Sequence, residues 1–308
     1  MVKVSVITGF YNRGEFLRQT IESILNQTFS DFELICFDDA STDDSAQRLE
    51  QLHAEFNDPR FRYIVHAKNT GFTRGMIAAV AQAQGEYIAV QGSADISLPR
   101  RLELQAGVLD SRPEVVAVGC WYSNIVYETG VRRLRKPNAN DKTFGTLLNG
   151  NVFSHGEVMY RKSTYDQVGG YRAAFKFCQD FDLWLRMIKV GKLATVPEEL
   201  YERFVRYDGV SYAPEKFALQ ARYSILAAQI AQMTTEKAAE ILNILGEHGP
   251  TVLVPKEHPK LQRRYVKAAL RSVVWGKSDA TIQLSEESIV SPVKRTAVIA
   301  LANFYASP

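Results

Sequence analysis

The sequence predicts an α/β fold in which a mixed, mostly parallel sheet carries helices on both faces, with a helical C-terminal region. In the first ninety residues, short β-branched runs alternate with amphipathic helices three times before a fourth strand, a pattern typical of parallel sheets. After about Pro214 the strand-like runs disappear and only helical segments follow. We therefore expect two parts, residues 1–213 and residues 214–308.

Composition and charge are typical of a globular protein without a membrane span. The 308 residues are 46% hydrophobic and 23% charged, with 37 Lys and Arg against 34 Asp and Glu. A net charge of +3 is too small to indicate a nucleic-acid partner. The N-terminal apolar run is too short for a signal peptide. Three separated cysteines, Cys36, Cys120 and Cys178, predict reduced thiols, so we expect a cytoplasmic protein.

The first ninety residues are predicted to contain four strands and three helices. Strands are expected at Val2–Thr8, Phe32–Phe37, Phe61–His66 and Tyr87–Val90. Helices are expected at Glu15–Gln27, Asp44–Glu55 and Phe72–Ala83, where apolar residues recur at helical spacing. Ser41 or Thr42 is expected to cap the second helix. Neither a glycine-rich dinucleotide fingerprint nor a Walker phosphate loop follows the first strand, so a bound nucleotide would be held in another way.

The following residues continue the sheet with more irregular spacing. Helices are expected at Arg100–Leu109, Ser163–Val168 and Asp182–Lys189. Strands are expected at Val115–Trp121, Phe153–Tyr160 and Tyr201–Arg206, with a hairpin over Tyr122–Arg135. The hairpin is expected to turn at Thr129-Gly130, because glycine is favoured where a turn requires a positive φ. Ligands in open α/β sheets bind at the carboxyl ends of such strands.

The C-terminal part is predicted to be a set of helices. They are expected at Lys216–Met233, Thr235–Leu245, Pro259–Trp275 and Glu286–Tyr305. In the third helix, apolar side chains from Leu261 to Val273 fall on one side, with Lys and Arg beside them. Such a basic amphipathic helix can lie on an anionic membrane surface. The alternative, which we favour, is packing in a bundle or against a second subunit, with the cations facing water.

Four segments together resemble the inverting glycosyltransferases of family 2, which have the GT-A fold. They read VSVITGFYNRGEFLRQTIESILNQTFSDFELICFDDASTDDS (4–45), NTGFTRGMIAAVAQAQGEYIAVQGSADISLPRRLE (69–103), HGEVMYRKSTYDQVGGYR (155–172) and QDFDLWLRM (179–187). The resemblance covers roughly the first 210 residues and implies the Rossmann-like sheet of nucleotide-diphospho-sugar transferases. It also implies transfer of a sugar, from a UDP-sugar foremost, to a saccharide or lipid-linked acceptor with inversion, as in bacterial surface polysaccharide assembly.

The resemblance assigns the catalytic base to Asp180, in the motif Gln179-Asp180-Phe181-Asp182-Leu183-Trp184. An inverting transferase needs a carboxylate that takes the proton of the acceptor hydroxyl. Asp182 is the rival for this role, and capping of the following helix is the alternative role for Asp180.

The resemblance also implies where the donor nucleotide binds. Asp39 matches the carboxylate that accepts a hydrogen bond from the base imide, a group that uridine and thymidine share. The other implied donor-binding residues are Thr8, Phe10, Arg13, Asp38, Arg74 and Ser93. Asp38 and Asp39 have an alternative role as acids at a helix entry, favoured by the helix dipole. For Arg74 the alternative is an ordinary solvated arginine.

The metal signature of the family is degenerate in this sequence. Gly92 and Ala94 stand where the resemblance expects the two carboxylates of an Asp-x-Asp motif for Mn²⁺ or Mg²⁺, and only Asp95 remains. Asp208 stands where a histidine ligand is expected, and His155 is a further local candidate. We expect weakened or absent metal dependence, with Asp95 and Asp208 as ligands if a metal binds. The alternative to an enzyme is a non-catalytic nucleotide-sugar-binding or partner subunit.

Overall fold

The computed structural model describes residues 2–205, 214–274 and 278–306. The chain divides into two compact units, Met1–Arg206 and Tyr207–Pro308. The expected division after residue 213 falls at the end of a stretch, 206–213, that lies outside the described residues.

The first unit is built on a mixed sheet, as the sequence predicts. Its strands are β1 (Val4–Phe10), β2 (Phe32–Asp38), β3 (Phe61–Val65), β4 (Tyr87–Gln91), β5 (Ile96–Ser97), β6 (Val115–Val126), β7 (Arg132–Arg135), β8 (Met159–Arg161) and β9 (Lys192–Val205). Their order is β3-β2-β1-β4-β8-β6-β9-β5, and β7 pairs with β6. Strands β1 to β4 pair in parallel, whereas β8 runs antiparallel to both β4 and β6.

Helices cover both faces of this sheet. They are α1 (Leu17–Leu25), preceded by a 3-10 turn (Gly14–Phe16), α2 (Ser45–Phe56), α3 (Phe72–Gln82), α4 (Arg101–Ser111), α5 (Phe144–Leu147), α6 (Lys162–Gln167) and α7 (Gln179–Met187). Val4 and Val6 of β1 share one core cluster with Leu17 of α1. On the opposite face, Gly75 of α3 lies directly against the ring of Phe37 in β2. Because both faces of β1 and β2 are covered, all seven residues of each strand are buried, and the buried Ser5 hydroxyl donates to the Glu33 carboxylate.

The predicted strand Phe153–Tyr160 is wrong in its first six residues, because β8 begins only at Met159. The Ser154 backbone N–H and hydroxyl both donate to the Glu157 carboxylate and fold this stretch into a turn. His155, within the turn, has a φ of 80°, which an extended strand does not allow. The stretch therefore forms a loop that reaches the strand edge described below.

Strand β9 is longer than the sequence predicts, since it starts at Lys192 and not at Tyr201. The register with β6 passes from Val196 to Glu199 between consecutive residues of β6, so Pro197 and Glu198 form a bulge. A proline inside a strand is tolerated at such a bulge. Because proline is otherwise disfavoured in strands, the sequence does not predict the first half of β9.

The second unit is helical, as expected. Its helices are α8 (Pro214–Ile230), α9 (Thr235–His248), α10 (Pro259–Val274), α11 (Ser278–Ser288) and α12 (Pro292–Ala306). The single helix predicted at Glu286–Tyr305 is wrong, because Pro292 cannot continue a helix and instead opens α12. In α10 the apolar side from Leu261 to Val273 is buried and Lys260 is exposed, which is the expected bundle packing. In the described ranges we find no helix with the length and apolar character needed to cross a bilayer.

Candidate donor-binding and catalytic site

Three loops that the resemblance marks meet at one edge of the sheet. Strand β1 lies between β2 and β4, so Thr8 pairs with both Cys36 and Gln91. The loops that follow these parallel strands therefore emerge side by side, at the edge where α/β sheets bind ligands. The Asn12 backbone N–H donates to the Ser41 hydroxyl at 2.9 Å and joins the first two loops.

Asp38 shapes the loop after β2. Its side chain is buried, and its carboxylate accepts hydrogen bonds from both the backbone N–H and the hydroxyl of Ser41. Because the Ser41 hydroxyl is used in this way, it does not cap α2, and Thr42 does not cap it either. The helix begins after Asp44, which makes no side-chain cap. The predicted cap is therefore wrong, and both oxygens of Asp38 already serve the loop.

Asp39 lies beside it and faces the loop that precedes α3. Its Oδ1 accepts from the Thr70 backbone N–H at 2.9 Å and lies 3.1 Å from His66 Nδ1. Its Oδ2 accepts from the Gly71 backbone N–H at 2.8 Å. Burial acts to raise the pKa of Asp39, but the hydrogen bonds from Thr70, His66 and Gly71 hold it below its ordinary value. Oδ2 accepts a single hydrogen bond from the described residues, so it retains capacity for one more donor.

The remaining expected donor-binding residues differ in how they present their side chains. Thr8 and Phe10 are fully buried, and the Phe10 ring belongs to the core cluster. Their side chains are therefore not presented at the strand edge. Arg13 is partly exposed and donates to the Asn12 carbonyl at 3.0 Å. Arg74 is exposed in the first turn of α3, and Ser93 is partly exposed in the loop after β4.

Asp180 lies in the first turn of α7. This helix begins at Gln179, three residues earlier than predicted, after Cys178 in the left-handed conformation. Neither Asp180 nor Asp182 is its cap, so the alternative capping role is wrong. Asp180 is 9% exposed, and its Oδ2 accepts a hydrogen bond of 2.6 Å from the Asn151 side-chain amide. No lysine or arginine among the described residues forms an ion pair with Asp180.

Asp182, the rival for the base role, is in a different environment. It is 1% exposed and forms ion pairs with Arg172 at 3.1 Å and Arg186 at 2.7 Å. Two cations thus compensate its charge and occupy both of its oxygens. The structure separates the two carboxylates: Asp182 anchors α7, whereas Asp180 is left with an amide partner.

The ring of His155 packs between residues of α3 and α7. Its ring lies 5.8 Å from the ring of Phe72, at the start of α3, and 6.4 Å from that of Trp184 in α7. Its Nε2 lies 2.8 Å from the hydroxyl of Tyr171, so the candidate metal ligand already has a hydrogen-bond partner. Burial lowers the pKa of His155, opposed by the nearby charge of Asp180. The positive φ of His155 aims the ring into this cluster at some backbone strain.

The loop after β4 is tied to β9 through Asp95. The Asp95 Oδ2 accepts from the Tyr201 hydroxyl at 2.7 Å, and its Oδ1 accepts from the Phe204 backbone N–H at 2.9 Å. The Tyr201 hydroxyl in turn accepts from the Gly92 backbone N–H at 2.9 Å. Burial raises the pKa of Asp95, and the Tyr201 hydrogen bond opposes this shift.

These residues do not fit a divalent cation. A Cβ built on Gly92 would lie 2.1 Å from Asp95 Oδ2, so a carboxylate at this position would displace the existing contact. Ala94 offers no ligand atom, and the oxygens of Asp95 are engaged elsewhere. In the part of the chain that the structure describes, no three His, Cys, Asp or Glu side chains form a metal-binding group. Asp208, the other expected ligand, lies outside the described residues.

A buried polar network beneath the loop was missed by sequence reasoning. Arg101 is fully buried and donates to the side chains of Gln91 at 2.9 Å and Ser97 at 2.8 Å and to the Val90 carbonyl at 2.7 Å. Arg101 follows Arg100 at the start of a helix, and two adjacent arginines there predict a solvent-exposed surface. Asn151, which holds Asp180, was also missed, because nothing in the sequence links two residues 29 positions apart.

Comparisons with known proteins agree with this architecture. Residues 5–169 match the family described as glycosyl transferase family 2. EpsE of Bacillus subtilis is 36% identical over 232 residues, which are 74% of this chain and 81% of EpsE. The O-antigen biosynthesis glycosyltransferase WbnJ of Escherichia coli is 34% identical over 190 residues, which are 60% of this chain and 71% of WbnJ.

Solved structures share the fold at low sequence identity. TarS of S. aureus in complex with UDP-GlcNAc has a TM-score of 0.59 and 17% identity, covering 99% of this chain and 89% of the TarS chain. The mannosyltransferase PcManGT of Pyrobaculum calidifontis, in complex with GDP-Man and Mn²⁺, has a TM-score of 0.60 and 18% identity, covering 99% and 86%. The mixed α/β architecture is thus that of the GT-A glycosyltransferases. The family match over more than half of the sequence, with the likeness to EpsE, shows that this chain belongs to glycosyl transferase family 2.

Proposed function

We propose that this glycosyltransferase moves a sugar from a nucleoside-diphosphate sugar, UDP foremost, to a saccharide or lipid-linked acceptor with inversion. The observation that carries the proposal is Asp180, a nearly buried carboxylate held by an amide and free of ion pairs among the described residues. TarS and PcManGT, solved with UDP-GlcNAc and GDP-Man, support a nucleotide-sugar donor. WbnJ, named for O-antigen biosynthesis, supports a role in surface polysaccharide assembly.

The proposed chemistry is a single displacement. The acceptor oxygen attacks the anomeric carbon as the bond from that carbon to the diphosphate oxygen breaks. The bonding electron pair leaves with the diphosphate, and Asp180 takes the proton of the acceptor hydroxyl. Attack from the side opposite to the leaving group inverts the anomeric centre. Because α7 is anchored through Asp182 and its two arginines, it holds Asp180 on a rigid element, which favours a defined geometry of attack.

We assign the nucleobase to Asp39. A uracil or thymine imide N–H is a donor suited to the free capacity of Oδ2, and the lowered pKa keeps the carboxylate ionised at neutral pH. The loop after β4, with Ser93, and the exposed Arg74 lie on the diphosphate side in this assignment. Guanine also presents a ring N–H, so the donor panel used in any test has to include GDP as well as UDP and dTDP.

We expect weakened or absent dependence on Mn²⁺ or Mg²⁺. Gly92 and Ala94 carry no ligand atoms in their side chains, and the hydrogen bonds from Tyr201 and Phe204 occupy Asp95. The test is the rate of nucleotide release from UDP-sugars with and without EDTA. A rate that falls to zero in EDTA and returns with Mn²⁺ would show that metal ligands are assembled here after all.

A second candidate is a non-catalytic nucleotide-sugar-binding subunit, favoured by the lost carboxylates at Gly92 and Ala94. The two candidates differ in turnover alone. Incubation with UDP-, dTDP- and GDP-sugars, with detection of the released nucleoside diphosphate, separates them. Release above the rate of an Asp180→Asn variant supports the transferase. Binding of a donor without any release supports the subunit.

We also propose peripheral contact with an anionic membrane surface, on its cytoplasmic side, through the second unit. The apolar side of α10 is buried, so this contact would be electrostatic: the helix carries five Lys or Arg and no acidic residue, and Lys260, Arg263 and Lys267 are exposed. A homodimer through the same helices is the competing arrangement. Flotation with vesicles containing phosphatidylserine tests the first, and the mass in solution tests the second. Loss of flotation in a triple Lys260→Gln, Arg263→Gln, Lys267→Gln variant would support membrane contact.

A further inference from the structure

We propose that Arg203 binds the diphosphate of the donor and supplies the positive charge that a divalent cation would otherwise provide. This inference rests on the proposed nucleotide-sugar donor. The residues of the loop after β4 do not fit a metal. The negative charge of a departing diphosphate nevertheless has to be compensated.

Strand pairing places Arg203 at this loop. Strands β5 and β9 are antiparallel, with Ile96 opposite Glu202 and Ser97 opposite Tyr201. The next pair in this register is Asp95 opposite Arg203. The backbone N–H of Phe204 donates to Asp95 at 2.9 Å, so the contact between the two segments continues beyond the last ladder pair.

The alternation of side chains along β9 gives the direction of Arg203. Residues two apart in a strand lie on the same face, so Arg203 shares the face of Tyr201. The Tyr201 hydroxyl contacts both Asp95 and the backbone N–H of Gly92, and it therefore marks that face as the one beneath the loop. Arg203 lies two residues beyond Tyr201, toward the C-terminal end of β9. Its charge acts to lower the pKa of Asp95 and of Tyr122, in agreement with this direction.

Among the residues that the structure describes, the guanidinium has no competing partner. Arg203 is partly exposed and forms no ion pair or hydrogen bond within the described ranges of the chain. The oxygens of Asp95 are used by Tyr201 and Phe204, so Asp95 influences Arg203 only through space. A planar guanidinium with free N–H groups matches two phosphate oxygens at once, which makes arginine suited to phosphate recognition.

Other arginines near the site are less suited to this role. Arg172 is paired with Asp182, and Arg101 is fully buried with oxygen partners on five residues. Arg74, which we also assign to the diphosphate side, is exposed in the first turn of α3, whereas strand pairing brings Arg203 to the loop after β4. As the bond between the anomeric carbon and the diphosphate oxygen breaks, negative charge grows on that oxygen. A guanidinium fixed beside it stabilises this charge without a bound metal.

The experiment compares the affinities of UDP and uridine by calorimetry in EDTA, using the full chain. The ratio of the two affinities measures what the diphosphate contributes. The variants are Arg203→Gln, which removes the charge, and Arg203→Lys, which keeps it. Arg112→Gln is the matched control, since the partly exposed Arg112 precedes β6, whose first residue pairs with Lys192 at the other end of β9 from Arg203. The melting temperature of each variant is measured in parallel.

We expect Arg203→Gln to lower the affinity for UDP roughly ten- to hundredfold and to leave that for uridine unchanged. Arg203→Lys should retain part of the preference for UDP, and Arg112→Gln all of it. An equal loss for UDP and uridine, or a Lys variant as weak as the Gln variant, would overturn the proposal. So would restoration of the Gln variant by Mn²⁺.

Failure of the inference and failure of the proposed function are distinguishable in the same assay. If the wild type binds UDP, dTDP or GDP and Arg203→Gln binds it equally well, the role of Arg203 is refuted and the donor class stands. If the wild type binds none of the three diphosphates, the proposed donor class is refuted, and the inference falls with it.

Discussion

Replacement of Asp180 by Asn tests the assignment of the catalytic base. The amide has nearly the shape of the carboxylate, and its oxygen can still accept the hydrogen bond from Asn151 that is 2.6 Å long in the wild type. The substitution therefore removes the capacity to take a proton and changes little else. At the contact with Asn151, one charge-assisted hydrogen bond becomes a neutral one, a loss of about 1 kcal/mol.

The expected loss of rate is much larger than this structural cost. Removing a general base lowers the rate roughly a hundred- to ten-thousandfold. At 1.36 kcal/mol for each factor of ten, this corresponds to about 2.7–5.4 kcal/mol in the activation barrier. The assay is the initial rate of nucleoside-diphosphate release, with donor affinity from calorimetry and the melting temperature measured alongside. We expect the rate to fall, with donor affinity unchanged and only a small shift in melting temperature.

Asp182→Asn is the matched control, because it makes the same chemical change two residues away. Asp182 is 1% exposed and pairs with Arg172 and Arg186, so its loss leaves two cations without their partner. We expect a loss of stability of about 3–5 kcal/mol, visible as a lower melting temperature. Normal release by Asp180→Asn, together with an inactive but stable Asp182→Asn, would refute the assignment and make Asp182 the base.

Two further predictions concern the donor and the pH dependence. Asp39→Ala should weaken UDP binding roughly ten- to hundredfold, the cost of a charge-assisted hydrogen bond of about 1.5–3 kcal/mol; unchanged affinity in calorimetry would make the assignment wrong. The pKa of His155 is lowered by burial, so the unfolded chain binds the proton first on acidification, and the stability that His155 contributes above about pH 6.5 is lost below it. The fall in melting temperature between about pH 7.5 and about pH 5.5 should therefore be smaller in His155→Gln than in the wild type, and equal falls would contradict the role of burial.

The sequence predicts the first half of the fold closely, because its signals there are local. Strands β1 to β4 and the helices between them appear within about two residues of their predicted bounds. Apolar runs and helical periodicity depend only on neighbouring residues, and burial on both faces of the sheet strengthens them. The later strands depend on distant partners. The bulge at Pro197 lies in the pairing of β9 with β6, and this pairing is not visible in the local pattern.

The residues of the site also differ in whether local sequence signals predict them. The motifs locate Asp39 and Asp180, since both occur in segments that resemble the family. What surrounds them depends on contacts across the fold: Asn151 reaches Asp180 from 29 residues away, and Asp95 meets Tyr201 from 106 away. These contacts give Asp95 a structural role that its position in the sequence does not predict. Arg203 likewise reaches the loop only through the pairing of β5 with β9.

We propose that the chain turns over a nucleotide sugar with weakened or absent dependence on a divalent cation. The most direct measurement is the rate of UDP release from UDP-sugars by the wild type, in EDTA and in Mn²⁺, each against Asp180→Asn. We predict release in EDTA at a rate close to that in Mn²⁺, and at least about a hundredfold above the variant. Release that disappears in EDTA and returns with Mn²⁺, or that is equal in wild type and variant, would contradict the account.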